Sequence, residues 1–301
     1  MINKLINAQF QIENSTLCDA SCIMCPRDSF NHKKEVMSLD IFNKIVDEAI
    51  SVGVENILIC GFGDTLMDKY LEKRLLYIKD NYPQINISLT NTGHLLHGKY
   101  LDLVCEYVNI MKISNYGFSK ITYETIHKNL NYEKIFSNIN YFLRLKKRPY
   151  TIMNFLDLPE NHNEIEIWKN YYLELADRID IWKPHNWGGE CCINETNKIS
   201  YSKCSRALNL RSLYFCANGL VSICCMDFNR QLIIGDIKEQ SIIDIINSEN
   251  VKRIQKIHID NSFNEHDYIC KNCDQIHDRT DALIFSSDKN MRIGESTLKI
   301  F

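Results

Sequence analysis

The chain up to Trp182 alternates between two hydrophobic patterns. Short runs of aliphatic and β-branched residues, typical of buried strands, are separated by longer stretches whose apolar residues recur at helical spacing. The predicted strands are Ala8–Glu13, Val54–Cys60, Ile85–Leu89, Val108–Ser114, Tyr150–Phe155 and Arg178–Trp182. Because strands that alternate with helices are joined by right-handed crossovers, this pattern predicts an α/β fold with a parallel sheet or barrel.

The best-marked helix follows Ser38, a residue type that caps helix N-termini. Apolar residues recur from Ile41 to Ile50, and Gly53 is suited to end the helix. The same periodicity predicts helices over 69–81, 95–106, 132–147 and 164–176, and a later one over 241–247.

Polar, glycine-bearing or aromatic segments follow the predicted strands. In parallel sheets and barrels the functional site forms where the strands end. The segments at these places are the Cys18 loop, Gly61–Asp64, Thr90–Gly93, Ser114–Asn115, Asn154 and Pro184–Trp187. We therefore expect them to surround one site.

Composition narrows the partners and the compartment. The net charge is −3 and shows no basic excess, so nucleic acid is not an expected partner. The sequence shows no signal segment and no apolar run near the ~20 residues of a membrane helix. We expect a soluble cytoplasmic protein without membrane contact, in which 13 cysteines indicate metal sites rather than disulfides.

Three cysteines with C-x3-C-x2-C spacing, Cys18, Cys22 and Cys25, follow the first predicted strand. Thiolates are soft ligands that select zinc, copper(I) or iron–sulfur clusters. Three such ligands leave a four-coordinate site with one open position, which favours catalysis. The alternative is a structural zinc site with His32 as fourth ligand.

A second cysteine set lies near the C-terminus as two separated pairs. Its members are Cys204, Cys224, Cys270 and Cys273, in the pattern C-x14-G-x4-C followed by C-x2-C. Four cysteines form a closed metal site, and the spacing alone fits either zinc or an iron–sulfur cluster.

Together, the two cysteine sets and the Gly61–Asp64 segment resemble the radical S-adenosylmethionine (SAM) enzymes that carry an auxiliary-cluster domain of the twitch or SPASM type. The resemblance implies a partial (β/α)6 barrel over 1–188, a small β-hairpin-plus-helix auxiliary domain over 189–285 and a tail over 286–301. The implied cofactors are SAM and two [4Fe-4S] clusters, one on the three N-terminal cysteines and one on the four C-terminal cysteines.

The resemblance also implies SAM contacts. Gly61 and Gly63 would let the backbone approach SAM, and Asp64 would take its amino group, although Asp64-Thr65 replaces the usual Glu-Pro of the family. Further candidate contacts follow the third and fourth strands, at Asn91, Ser114 and Asn115.

Within the family, the segment from Gly219 to Asp274 is most similar to aminocyclitol dehydrogenases. This implies an oxidoreductase that forms a 5′-deoxyadenosyl radical, abstracts hydrogen from a sugar-like or aminocyclitol-like alcohol and oxidises it to a ketone. The auxiliary cluster would accept the electron, and a flavodoxin-type or ferredoxin-type protein would act as reductant. Candidate substrate contacts are His185, Asn186 and Trp187.

Three alternatives remain open at this point. An epimerase would need a thiol that returns hydrogen, for which Cys191 and Cys192 are candidates. A radical SAM enzyme of this type could instead modify a ribosomal peptide. A protein of a different class, with two structural zinc sites and no catalysis, would fit the cysteines alone.

Overall fold

The computed structural model describes residues 8–189, 204–210, 212–266, 268–276 and 282–290. Its strands are β1 (Gln9–Ile12), β2 (Ser21–Cys22), β3 (Asn56–Ile59), β4 (Asn86–Asn91), β5 (Ile110–Ser114), β6 (His127–Lys128), β7 (Tyr150–Leu156), β8 (Arg178–Trp182), β9 (Ser212–Phe215), β10 (Leu220–Ser222), β11 (Ile233–Asp236) and β12 (Leu283–Ser286). Its α-helices are α1 (Leu39–Ser51), α2 (Leu71–Asn81), α3 (Gly98–Tyr107), α4 (Lys120–Ile126), α5 (Tyr132–Leu143), α6 (Ile165–Leu173), α7 (Ser205–Asn209), α8 (Ile242–Ile246) and α9 (Glu249–Asp260).

Six parallel strands form the centre of the larger sheet in the described residues. Their order is β1, β3, β4, β5, β7 and β8, and each pair of neighbours is parallel. A helix lies between consecutive members of this series along the chain. All six correspond to strands predicted from the sequence, which confirms the α/β fold with a parallel sheet.

The two faces of these strands differ in polarity. One face carries aliphatic residues that are fully buried, such as Ile57 and Leu89. The opposite face carries polar side chains, among them Gln11, Thr90 and Lys112, with Thr90 and Lys112 paired in register across β4 and β5. Since strand side chains alternate, the apolar face packs under the helices and the polar face is left for a site.

Helix α1 lies between the two residues that the sequence predicted to cap it and to end it. The Ser38 side chain accepts a hydrogen bond from the backbone N–H of Ile41, as expected of an N-cap. Gly53 has a φ of 86°, the left-handed conformation that lets the chain leave the helix. Helix α4 and strand β6 lie between β5 and α5 and were not predicted. Strand β6 pairs with β2 in a separate two-stranded ladder.

Strands from the C-terminal part extend the same sheet at both ends. Strand β9 pairs in parallel with β1, and β10 and β11 follow as antiparallel neighbours. At the other end β12 pairs antiparallel with β8. The predicted hairpin and its following helix α8 are therefore present, and the hairpin is attached to the barrel edge next to the cluster loop. Among the described residues, none of the helices has the length and apolar character needed to span a membrane.

Candidate active site

The N-terminal cysteine loop is held at both ends by backbone contacts. It leaves β1 through Ser15, which bridges to Val36, and the short β2–β6 ladder pairs Cys22 with His127. Inside the loop, Arg27 donates hydrogen bonds to the carbonyl oxygens of Cys18, at 2.9 Å, and of Ala20. Protein contacts outside the three thiols therefore hold the shape of the loop that carries the cysteines.

The thiols of this loop share one buried environment. Burial and then the charge of Asp64 raise the pKa of Cys18 to about 11. The pKa of Cys22 is raised by burial and by the neighbouring Cys25 and Cys18. Cys18 and Cys22 form no disulfide in the described part of the chain. In the described ranges no three His, Cys, Asp or Glu side chains are arranged closely enough to hold a metal ion. Three cysteines on one loop nevertheless fit an iron–sulfur cluster, because bound iron offsets the repulsion between their thiolates.

The Gly61–Asp64 segment lies directly against this loop. The backbone N–H of Asp64 donates to the carbonyl oxygen of Leu17 at 2.8 Å. A Cβ added to Gly63 would lie 2.7 Å from that oxygen, and one added to Gly61 would overlap the Glu13 side chain. The two glycines thus allow close approach of protein to protein at the base of the cluster loop.

Asp64 is buried and engaged within its own turn. Its Oδ1 accepts from the backbone N–H of Leu66 at 2.9 Å, and its Oδ2 accepts from the Thr92 hydroxyl at 3.2 Å. Burial raises the pKa of this carboxyl group above its ordinary value. Its position between the second and third strand ends is the one expected for a SAM contact, and that role stays a prediction.

The other predicted SAM residues lie at the expected strand ends but have protein partners. Asn91 accepts from the backbone N–H of Gly93 at 2.7 Å and so shapes its own turn. Asn115 accepts from the indole N–H of Trp168 in α6 at 2.9 Å and is buried. Ser114 is half-buried at the end of β5. Asn115 is thereby tied to the helical layer, and contacts of all three with SAM stay predictions.

The C-terminal cysteines meet at one cavity, which we call the auxiliary cavity. All four predicted ligands line it: Cys204, Cys224, Cys270 and Cys273. Burial followed by the charge of neighbouring cysteines raises the pKa of Cys224 and of Cys270. The pKa of Arg206, which lines the same cavity, is raised by the charge that neighbouring cysteines, Cys225 first and then Cys224, carry when they are ionised. This convergence of thiols from distant sequence positions fits a closed iron–sulfur site.

A second space, the central cavity, lies at the strand ends between the two cysteine sites. Strands β1 and β9, the segment after β3, the loop after β8 and the segment after Cys224 contribute its lining, which includes Gln11, Cys60, His185, Trp187, Tyr214 and Cys225. Met226 lines both the central and the auxiliary cavity. The indole N–H of Trp187 donates to the carbonyl oxygen of Met24 in the N-terminal loop at 2.8 Å. The central cavity is therefore adjacent to both sites.

The predicted substrate residues after β8 divide into two groups. His185 and Trp187 line the central cavity, with their rings edge to face and the centroids 4.2 Å apart. Asn186 is buried and faces the auxiliary C-x2-C turn instead. Its backbone N–H donates to Asp274 at 2.9 Å, and its amide donates to the carbonyl oxygen of Asn272 at 2.8 Å. Asn186 therefore braces the turn that carries Cys270 and Cys273.

Three other candidate residues from the sequence have different outcomes. Cys191 and Cys192 lie outside the described residues. His32, the proposed fourth zinc ligand, is engaged through its Nε2 with the carbonyl oxygen of Phe228 at 2.9 Å. That contact joins the N-terminal loop to the segment that follows Met226.

Three residues of this region were missed in the sequence. Glu13 is buried at the end of β1, where it accepts from the Tyr214 hydroxyl at 2.7 Å and from the backbone N–H groups of Phe62 and Ala217. It therefore joins the barrel to the auxiliary hairpin. Cys225 lines the central cavity, and His127 contacts Cys22 at 3.2 Å. Of the three, only Glu13 had a signal in the sequence, because an acidic residue at the end of an apolar strand is unusual.

Comparison with known protein families identifies two domains in the chain. Residues 13–170 match the radical SAM superfamily profile, and residues 204–274 match SPASM, an iron–sulfur cluster-binding domain. Among curated proteins, none matches the sequence.

Solved structures with the same fold include two well-covered relatives and a longer one. BtrN in complex with AdoMet and 2-DOIA is 17% identical, with 89% of this chain and 92% of that chain covered and a TM-score of 0.63. anSMEcpe with AdoMet and the Cp18Cys peptide is 13% identical, with 95% and 91% covered and a TM-score of 0.66. Streptococcus suis SuiB bound to precursor peptide SuiA is 13% identical, with 83% and 67% covered and a TM-score of 0.69.

At these identities the solved structures establish the fold alone. The superfamily profile, in contrast, spans more than half of the chain. The zinc-protein alternative is thereby set aside, because a radical SAM domain carries a [4Fe-4S] cluster and SAM, and a SPASM domain carries further iron–sulfur centres. The chain belongs to the radical SAM superfamily, as an enzyme with a SPASM-type auxiliary iron–sulfur domain.

Proposed function

We propose that this enzyme is a radical SAM epimerase in which Cys225 returns the hydrogen atom to the substrate. The observation that carries the proposal is the placement of Cys225 in the lining of the central cavity, directly after the auxiliary ligand Cys224. In this proposal residues 1–188 hold SAM and the first cluster, residues 189–285 hold the auxiliary cluster, and the substrate occupies the cavity between them.

A thiol in this position has chemical consequences for a carbon radical. The S–H bond is weaker than most C–H bonds, so a substrate radical beside a thiol takes its hydrogen atom. An epimerase needs this step, whereas a dehydrogenase must keep the radical intact until it loses an electron. The half-buried Cys225, with Cys60 on the same cavity wall, therefore favours hydrogen return over oxidation.

The division of work follows from the placement of the residues. Cys18, Cys22 and Cys25 would hold the first cluster, which together with SAM would supply the radical chemistry that takes one hydrogen atom from a substrate C–H bond. The Cys225 S–H group then gives one hydrogen atom to the opposite face of the carbon, which inverts the centre and leaves a thiyl radical. One electron and one proton restore the thiol, with a flavodoxin-type or ferredoxin-type reductant as electron source.

The cavity walls favour a substrate with both polar and apolar parts. Gln11 and His185 offer hydrogen-bonding groups, and Phe62, Trp187 and Tyr214 offer aromatic surface. Two kinds of substrate fit this lining: a sugar or aminocyclitol, or a residue of a peptide. Relatives with the same fold have been solved with the small molecule 2-DOIA and with peptides.

Replacing Cys225 by alanine is the direct test. The reconstituted C225A enzyme should cleave SAM to 5′-deoxyadenosine with a substrate panel of aminocyclitols, hexoses and peptides but release no epimer. In D2O the wild-type product should carry one solvent deuterium at the inverted carbon, because the thiol hydrogen exchanges with solvent. Mass spectrometry and chiral chromatography measure both.

Cys224→Ala is the matched control at the neighbouring position. It should lose iron from the auxiliary site, whereas C225A should retain the full count of about eight irons for two four-iron clusters. Loss of iron in C225A equal to that in C224A would make Cys225 a ligand and rule out its role as donor.

Dehydrogenation is the second candidate, favoured by the contact of the central cavity with the auxiliary cavity through Met226. A cluster that close can accept the electron of a substrate radical. The same assay separates the two reactions, because a dehydrogenase product lacks two hydrogen atoms, carries no solvent deuterium and still forms in C225A.

A further inference from the structure

His127 occupies a buried position against the N-terminal cysteine loop. It opens strand β6 directly after helix α4, and its backbone pairs with that of Cys22 in the two-stranded ladder. Only 1% of its surface is exposed. Its ring is stacked between Tyr116 and Tyr123, with centroids 5.0 and 4.6 Å away. The aromatic pair fixes the plane of the imidazole and keeps water from it.

The two ring nitrogens of His127 have different partners. Nε2 lies 3.3 Å from the backbone N–H of Tyr116, and Nδ1 lies 3.2 Å from the Sγ of Cys22. A backbone N–H can only donate, so Nε2 must be the acceptor and must lack a proton. The remaining proton of the neutral ring is then on Nδ1, where it points at the cysteine sulfur.

We propose that His127 is a positioning residue of the first cluster, which donates an Nδ1–H hydrogen bond to the Cys22 sulfur and makes the cluster easier to reduce. Hydrogen bonds to the ligand sulfurs raise the reduction potential of an iron–sulfur cluster, because the added electron increases the negative charge on sulfur. In a buried site with few competing dipoles the effect of one such bond is enlarged.

This proposal depends on membership of the superfamily and not on the epimerase reaction. In radical SAM enzymes SAM cleavage requires one electron from the first cluster. The contact would therefore affect any of the reactions considered for this enzyme. The position is also specific to the local fold. The bond crosses 105 residues of sequence and exists because α4 and β6 place His127 beside the loop.

Two substitutions separate the two ring contacts. In H127N the side-chain amide can place an N–H where Nδ1 lies, so the donor to Cys22 is kept. In H127Q the longer amide reaches toward the Nε2 position, so the Tyr116 contact is kept and the donor to sulfur is lost. The variants are reconstituted as full chains, and the EPR signal that responds to added SAM is followed in a potentiometric titration.

We expect a clear difference between the variants. At a fixed potential near the wild-type midpoint, H127Q should show a ratio of reduced to oxidised first cluster about tenfold lower than wild type, as one lost charge-assisted hydrogen bond predicts. H127N should stay within about twofold of wild type. The auxiliary cluster signal, which does not respond to SAM, should keep its midpoint in both and serves as internal control.

Two results from the variants would overturn the proposal. One is an unchanged midpoint of the first cluster in H127Q, and the other is an equal loss of its iron in H127N and H127Q, which would leave His127 a packing role only. A measurement on the unaltered protein guards against misfolded variants: pulsed EPR on 15N-histidine-labelled enzyme should detect a histidine nitrogen and an exchangeable proton coupled to the reduced first cluster. Absence of that coupling would also overturn it.

Discussion

Alanine at position 63 is expected to remove the first cluster and to abolish SAM cleavage. Gly63 packs against the strand exit that leads to Cys18, and an added Cβ would lie 2.7 Å from the carbonyl oxygen of Leu17 and closer still to that of Ser15. Neither contact involves a flexible side chain, so the two backbone segments would have to separate. The first segment carries Cys18, which would then be displaced from Cys22 and Cys25.

The G63A protein should retain about four of about eight irons, because the auxiliary site lies apart from this contact. Its formation of 5′-deoxyadenosine should fall below detection, and the SAM-responsive EPR signal should be absent. Gly98→Ala is the matched control, since no atom lies within 4 Å of its added Cβ, although its φ of 52° costs about 1 kcal/mol. Full iron in G63A would show that the loop tolerates the separation.

The sequence predicts where glycine is needed in this segment but not which groups approach it. The sequence predicted that Gly61 and Gly63 let the backbone approach SAM, and that contact stays a prediction. The structure shows a close approach of protein groups at both positions. A glycine specifies missing bulk and not what fills the space, so these protein partners were not predictable. The approaching groups are Glu13 and the backbone ahead of Cys18.

The strands of the barrel were predictable for a different reason. Each, like Asn56–Ile59, is a short aliphatic run whose side chains are buried on at least one face, and that requirement leaves a strong local pattern. Helix α4 and strand β6 left none, since α4 has 7 residues and β6 has 2. Strand β6 forms by pairing with β2 of the cluster loop, which lies far away in sequence, and His127 was missed with it.

Part of the auxiliary site was likewise predictable from the sequence, and part was not. The spacing predicted four cysteine ligands, and the fold brings all four cysteines to one cavity. Spacing cannot say what an adjacent cysteine does, because two neighbouring side chains point in different directions and only the tertiary packing decides what each one meets. The position of Cys225 in the lining of the central cavity was therefore visible in the structure and not in the cysteine motif.

Replacing Arg74 by methionine is expected to lower the free energy of unfolding more than any other substitution considered for this protein. Arg74 and Asp68 are both fully buried, and Nε of Arg74 donates to Asp68 Oδ2 at 2.6 Å. The guanidinium also donates to the carbonyl oxygens of Met37 and Ser38 ahead of α1, and Asp68 accepts from the Asn14 amide at 3.0 Å. The pair thus joins α1 and α2 to the chain that leaves β1 for the cluster loop.

R74M leaves the Asp68 carboxylate buried without its cation, and removing one partner of a buried pair costs about 3–5 kcal/mol. Denaturant unfolding of the apo protein should show a free energy of unfolding lower by that amount, while K120M, which breaks the exposed Lys120–Glu133 pair, should change it little. The double variant D68N/R74M should recover part of the loss, because no unpaired charge stays buried. A double variant as unstable as the sum of its single variants would mean that the loss in R74M comes from packing and not from the stranded carboxylate.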